Sequence, residues 1–413
     1  MTRTILDIHI LQTVPPSNIN RDDTGSPKTA VYGGVRRARV SSQAWKRATR
    51  KAFDDLVDPA DLGVRTKKVA EALAERITAR EPALDTAAAL GLAAETLRTA
   101  TGSKIDPPKR KAKEGEPEPA PESSYLMFLG ARQLDALAEL AVKGSEGKGD
   151  VAVLKDFFKD KENKALAKRL VDTRHSVDIA LFGRMVADGP DLNVEAATQV
   201  AHALSVHAVD NESDYYTAVD DRNSDAEPGA GMIGVVDFNS ATLYRYAALD
   251  VDRLHANLGA GLREDEHAAA PTRRAVEAFL EGFITSLPTG KVNTFGNHTL
   301  PCVVLVKLRS KRPISFVAAF ERAVAPQRRE DGFVTEACRR LARHVPELEA
   351  AYGVADGDGT GTWLVRVGEE TEPLAALGES LSIPELVTAV GETVAGRLIS
   401  AAEAGSDARE PIA

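Results

Sequence analysis

Residues 4–14 alternate: Leu6, Ile8 and Ile10 fall on one face of an extended chain, and Asp7 and His9 on the other. That period of two predicts a half-buried strand. NRDDTGSPKTAVYGG (20–34) is rich in turn formers and predicts a loop. Val35–Val40 predicts a short strand, after which Ser41 or Ser42 caps a helix. From about 56 to 172 the apolar period becomes helical, as in VAEALAERI and LAAETLRTA. Inside that region KIDPPKRKAKEGEPEPAPESS has no apolar period and predicts a mobile loop over 103–124, with a second flexible patch at KGSEGKGD (143–150). After 173 strand signals return. HSVDIALFGRM (175–185), QVAHALSVHAV (199–209) and IGVVDFNSATLYRYAAL (233–249) are apolar segments, the last two separated by an acidic loop. A helix is expected at 272–287, a buried strand at LPCVVLVKL (300–308), a helix around EACRRLARH, a Gly/Asp loop at 353–362 and a last helix near 384–400. There is no internal repeat. The order of elements predicts an α+β sandwich with a split sheet domain.

The chain of 413 residues is 43% hydrophobic and 27% charged, enough for a real core. No run of 18 apolar residues predicts a membrane span, and MTRTILDIHI reads as a strand rather than a signal peptide. Cys302 and Cys338 are too few for a disulfide framework or a zinc knuckle, and read as buried thiols of a reducing cytosol. A cytoplasmic chain leaves the sequons at Asn211 and Asn297 unused.

Charge changes the picture more. The net charge is -9, yet residues 1–51 hold 10 basic and 3 acidic residues, and Gly33–Lys51 holds seven basic residues and no acid. With Trp45 set at zero on a helical wheel, Ala48, Ala52 and Leu56 fall within about 60° of it and predict the buried stripe. Gln43, Lys46, Arg47, Arg50 and Lys51 occupy the opposite face. Lys46/Arg50 and Arg47/Lys51 are like-charge i,i+4 pairs, unfavourable to an isolated helix. The helix start at Ser41 and Ser42 favours anions. Arg37 and Arg39 share a face of the preceding strand, and Arg21 and Lys28 lie in the loop upstream. A solvated helix face is the ordinary reading of such a run. A phosphate backbone accounts for the unrelieved like charges, the helix start and the basic loop together.

NRDD, YGGVRRARVSSQAWKRATRK, VDIALFGRM, AHALSVHAVDNESDYYTAVDD and LYRYAALDVDRLHANLG occur in an order that resembles the CasC family, the backbone subunits of the type I-E CRISPR surveillance complex Cascade. The resemblance is strong at 1–55, at 175–260 and around Asp331-Gly332-Phe333, and weak in the helical insertion. It implies a right-hand-like α+β fold: a modified RRM/ferredoxin-like palm (1–55 and 173–413), helical fingers (56–172) and a β-hairpin thumb (about 209–240). It implies a non-catalytic subunit without cofactor or metal. Several copies would stack head to tail along CRISPR RNA and displace bases periodically, so that the guide pairs with target DNA. Partners would be further copies, the large, small and capping subunits and the crRNA-processing endonuclease. Lys28, Ser41, Ser42, Gln43, Lys46, Arg47 and Arg50 match the family's RNA-backbone contacts. Met185 matches a wedge against the displaced base. Tyr215 and Tyr216, followed by Thr217, match the thumb's aromatic pair, with Tyr-Tyr in place of Trp-Phe. Without the resemblance, Met185 and both tyrosines read as core. Residues 208–232 carry seven acids and one Arg, which suggests that the thumb docks on a basic protein surface as well.

Other signals carry less. Gly229–Gly234 spells GxGxxG, but strand-like VVDF follows it where a dinucleotide site needs a helix. Asp221–Asp225 opens like a calcium loop, but Ala226 and Met232 occupy the required Gly and Glu positions. His202 and His207 lack partners at ligand spacing. A competing reading is a metal-dependent ribonuclease using Asp22 and Asp23, with Asp7 and His9 nearby. A third is a general single-stranded nucleic-acid-binding module.

Overall fold

The structure is a computed structural model that describes residues 3–108, 119–186, 189–219, 230–259, 266–326, 332–354 and 361–407. The chain forms two compact units, one of residues 1–53, 199–250 and 276–413, the other of 54–198 and 251–275. The second unit therefore takes in 173–198 and 251–275, segments that the sequence assigned to the palm.

The first unit is built on a nine-stranded sheet: β1 (Ile5–Ser17), β2 (Thr29–Tyr32), β3 (Val35–Val40), β4 (Thr198–Val200), β5 (Ala203–Ser205), β6 (Glu212–Val219), β7 (Ala230–Asp250), β8 (Val303–Arg309) and β9 (Gly361–Arg366). The main path runs β9–β8–β1–β7–β5–β3–β2, with every pairing along it antiparallel. The mixed α+β class expected from the sequence is what the chain adopts.

β1 is central, with Ile8 opposite Ala247 on one side and Val306 on the other. It is buried on both faces, not half-buried as its alternation predicts. On the odd face Leu11, Tyr244 and Phe316 share a core with Ala337, Leu341 and Val345 of the helix Phe333–Ala351. The polar residues there are partnered from within, although His9 Nε2 and Arg309 Nη2 have no hydrogen-bond partner. Asp7 accepts from the Tyr246 hydroxyl (2.7 Å), Arg309 Nε (3.1 Å) and the Ile314 amide (3.0 Å), while Lys307 and Arg309 both bind Glu349. Burial pushes the Asp7 carboxyl up to about 6. His9 is bonded to the Tyr244 hydroxyl and stacked on Phe316, and burial holds its pKa well below the usual imidazole range. An internal polar network thus imitates a solvent face in the sequence.

On the even face lies α1 (Ser42–Leu56), next to residues 276–285. The Arg245 guanidinium on β7 stacks 3.8 Å from the Trp45 ring centroid and 4.7 Å from that of Phe283. The buried line of α1 is Trp45, Thr49 and Phe53, not Trp45, Ala48, Ala52 and Leu56. Thr49 can take an interior place because its hydroxyl donates to the Trp45 carbonyl one turn back (3.0 Å).

The second unit packs the helices Val69–Arg80, Thr86–Thr101, Ala131–Gly144, Val151–Phe157 and Lys161–Asp172 around Leu73, Ile77, Leu92, Leu97, Leu137 and Leu154. Asp85, Asp150 and Asp160 cap three of them. The 103–124 segment is closed at its base by Ile105–Asp106 pairing with Glu122–Ser123, and its centre lies outside the described residues. Val177–Phe182, read as strand-like, is a helix, because an unbroken apolar run does not distinguish a buried strand from a buried helix. No helix among the described residues is long and apolar enough to cross a membrane.

Candidate nucleic-acid interface

The basic loop is held by asparagines. Asn18 is buried and donates to the carbonyls of Gly25 (2.9 Å) and Asp237 (2.8 Å). Asn20 accepts from the Ser41 amide (2.8 Å), and its carbonyl accepts from the Lys28 amide (2.9 Å). Ser26 and Ser213 both donate to the Asp237 carboxylate, which they hold below its usual range. The loop carrying Arg21 and Lys28, the start of α1 and the base of the β6–β7 hairpin are therefore bonded to one another. The sequence reading missed Asn18, Asn20 and Asp237. Their only signal was the abundance of turn-forming Asn and Asp.

Ser41 is the residue before α1, and its hydroxyl accepts from the Gln43 amide (3.3 Å). No acid occupies the first turn. Ser42 and Lys46 are half-buried, Gln43, Arg47 and Lys51 exposed, and Arg50 half-buried on the same helix. Burial lowers the Lys46 ammonium pKa. Lys28 and Arg39 line one small recess with Asn20 and Asn239. Arg39 donates to the Thr29 carbonyl (3.2 Å) and lies 3.3 Å from His202. Among the described residues, no carboxylate pairs with Arg21, Lys28, Arg36, Arg39, Lys46, Arg47 or Lys51. Arg36, exposed on β3, joins this set and was not singled out from the sequence.

Arg37 must be removed from it. Its side chain is 0% exposed and donates to the carbonyls of Tyr32 (3.2 Å), Ser205, Phe320 and Glu321 (2.9 Å each). It is an internal clamp, tying the β2–β3 turn to residues 320–321. The face it shares with Arg39 is open only at the Arg39 end.

The β6–β7 hairpin occurs where a thumb was expected, with Tyr215 opposite Val235, Tyr216 opposite Gly234 and Thr217 opposite Ile233. Tyr215 is 60% exposed, and Tyr216, Ile233 and Val235 are also open to solvent, which excludes the core reading of both tyrosines. Gly234 leaves room for the Tyr216 ring, since a Cβ there would lie 2.4 Å from it. The acidic residues 220–229 lie outside the described residues, among them the calcium-like start at 221–225, whereas all of the GxGxxG match except Gly229 lies on strand β7, not before a helix.

Met185, in the second unit, is 85% exposed. It follows Arg184, whose buried guanidinium is held by the carbonyls of Leu192 (2.7 Å) and Val171 (3.0 Å). Anchoring of one residue displays the next, and the core reading of Met185 fails as well.

Asp22 Oδ1 accepts from the Thr24 amide and hydroxyl and the Ser26 amide, bonds that lower its pKa and close the turn. Asp7 and His9 are sealed beneath the sheet and cannot join it at solvent, which corrects the expectation that they lie near it. No group of three or more His, Cys, Asp or Glu placed to hold a metal ion occurs among the described residues.

A family model described as CT1975-like protein matches residues 6–389. No curated protein matches. Among solved structures, a chain of a "CRISPR RNA-guided surveillance complex, pre-nicking" is similar with a TM-score of 0.76 and 36% identity, over 94% of this chain and 100% of that one. A chain of a second "CRISPR RNA-guided surveillance complex" gives a TM-score of 0.66 and 33% identity, over 93% and 99%.

Proposed function

This chain belongs to the CT1975-like protein family, and on that premise we propose that it is a subunit of a CRISPR RNA-guided surveillance complex, the backbone subunit of a type I-E Cascade. In this reading several copies stack along CRISPR RNA, hold its backbone on the loop 18–28, β3 and α1, and leave the bases free to pair with target DNA. The subunit is a scaffold and cuts nothing itself. One observation carries the reading: seven basic side chains on adjoining elements of one unit have no described carboxylate partner, in a chain whose net charge is -9. Cations left unrelieved by the protein are what a polyanion needs. The outward Met185, Tyr215 and Tyr216 support base displacement, because an exposed aromatic ring or thioether can stack on an unpaired base. The similarity to chains of surveillance complexes supports the other subunits of such complexes as partners.

The test is to isolate the tagged chain with the products of neighbouring genes and sequence the RNA that accompanies it. Discrete repeat-flanked RNAs are expected, and a Lys46→Glu/Arg47→Glu variant should lose them while staying folded. Recovery of unselected RNA by both proteins would overturn the reading.

A further inference from the structure

We propose that a cavity of about 200 Å³ bounded by residues 285–292 and 297–300 receives a single unstacked nucleobase, read by the amide of Asn297. The inference rests on the RNA-binding reading above and adds a site to it.

Asn297 is 1% exposed, and neither its amide oxygen nor its amide nitrogen has a hydrogen-bond partner. Thr299 Oγ1, on the same wall, is likewise buried without a partner. A buried donor and acceptor left unmade forfeit their hydration without recompense, so such a pair calls for an occupant that supplies both. Leu287, Pro288, Val292 and Leu300 give the cavity apolar walls, and Leu300 is 71% exposed at its mouth. The volume is below the roughly 300–1,000 Å³ of pockets for drug-sized ligands and suits one ring system. Every base is a flat apolar body with donors and acceptors on its edge. An amide turned over by 180° exchanges its donor and acceptor, so one Asn can serve bases of different sequence.

The position also favours a base. Gly290 lies directly against the backbone of Asn18 and Ile19, where a Cβ would meet carbonyl oxygens at 2.5 and 2.6 Å. Phe295 packs on Phe238 at the hairpin base (5.9 Å between ring centroids). The cavity segment is thus seated between the basic loop and the hairpin. Lys291 and His298 place basic side chains on the same stretch, and Lys291 holds a positive φ of 49° that a non-glycine residue rarely adopts. Behind the cavity the Thr299 carbonyl accepts from Gln12 Nε2 (2.8 Å), and Gln12 Oε1 accepts from Arg245 (2.6 Å), the residue stacked on Trp45 of α1. The wall is therefore fixed to the same layer that fixes the basic helix.

The experiment uses the full chain and a single-stranded RNA carrying 4-thiouridine at one position, irradiated and mapped by mass spectrometry. Cross-links on residues 297–300 are expected, with Asn297→Leu losing them and weakening binding about tenfold, the scale of one lost edge contact. Leu300→Glu, at an exposed position that cannot threaten the fold, should weaken the same cross-links. If RNA binds in a Lys46- and Arg47-dependent way but cross-links elsewhere, with Asn297→Leu binding normally, the cavity holds water only and the inference falls while the RNA reading stands. If Asn297→Leu alters self-association and leaves RNA binding intact, the occupant is protein and the inference also falls. If no RNA binds the wild-type chain, the RNA reading itself has failed.

Discussion

Replacing Arg37 by Ala would leave four carbonyl oxygens, those of Tyr32, Ser205, Phe320 and Glu321, around an empty interior site. The expected cost is about 3–5 kcal/mol, as for other buried charged groups removed from their partners, read as a shift in the denaturant midpoint. Lys46→Glu/Arg47→Glu should change stability by no more than about 0.5 kcal/mol per site while abolishing RNA binding. The two substitutions separate what the sequence could not: strand alternation placed Arg37 and Arg39 on one face, but which end of that face is covered depends on residues nearly 300 positions away. His175 gives a pH test. Burial lowers its pKa to about 4, and Gln133 bonds its neutral ring. Between about 4 and 6.5 the unfolded chain binds the proton and the folded chain does not, so stability is full above 6.5 and falls as pH drops through that window. The loss from this group is about 3 kcal/mol by pH 4, and His175→Gln should flatten that part of the stability curve.

At the scale of elements, the β2–β3 turn shows how a short sequence can be locally plain and globally specific. Gly33 and Gly34 both hold positive φ, as a two-residue hairpin loop of this kind requires. At Gly34 an added Cβ meets nothing, whereas at Gly33 it would fall 1.6 Å from the Glu321 carbonyl oxygen. Gly34→Ala should therefore cost only the left-handed penalty of roughly 1–2 kcal/mol. Gly33→Ala should cost upward of about 4 kcal/mol, because backbone and not a side chain has to give way, and thermal melts of the pair would show the gap. The glycines were legible only as part of a loop over 20–34; that Thr29–Tyr32 inside it forms β2, and that the two glycines differ, was not. The same limit explains α1, whose existence and basic face were legible. Its buried line was displaced by one position because a threonine with an internal bond can stand where an alanine was expected. Outward display of Met185 and Tyr215 was legible only through resemblance, since apolar side chains read as core until the structure shows them uncovered.

For the whole molecule, the uneven distribution of charge along the chain has a measurable consequence. Affinity for single-stranded RNA should fall with salt on a log–log slope of about -0.7 for each phosphate neutralised. Replacing Lys46 and Lys51 by Gln should reduce that slope by about 1.4 if each meets one phosphate, leaving the fold unchanged. An unaltered slope would place the strand elsewhere. The apolar period changes near residue 56, and the first segment of the first unit ends at residue 53. The return of the chain to the second unit at 251–275 carried no such signal, because a helix is a helix whichever unit it packs in.

β7 is a single strand of 21 residues. Its inner half lies beside β1 in the centre of the sheet, their pairing ends at a bulge by Asn239, and its outer half continues as one side of the hairpin. At about 3.3 Å per residue it is a lever some 70 Å long. A lever clamped in the core fixes the direction of the hairpin independently of what is at its tip. Insertions or deletions beyond residue 219 would alter its reach and leave its bearing unchanged, so the length of the arm can diverge between relatives while the angle at which it meets its target is inherited with the core.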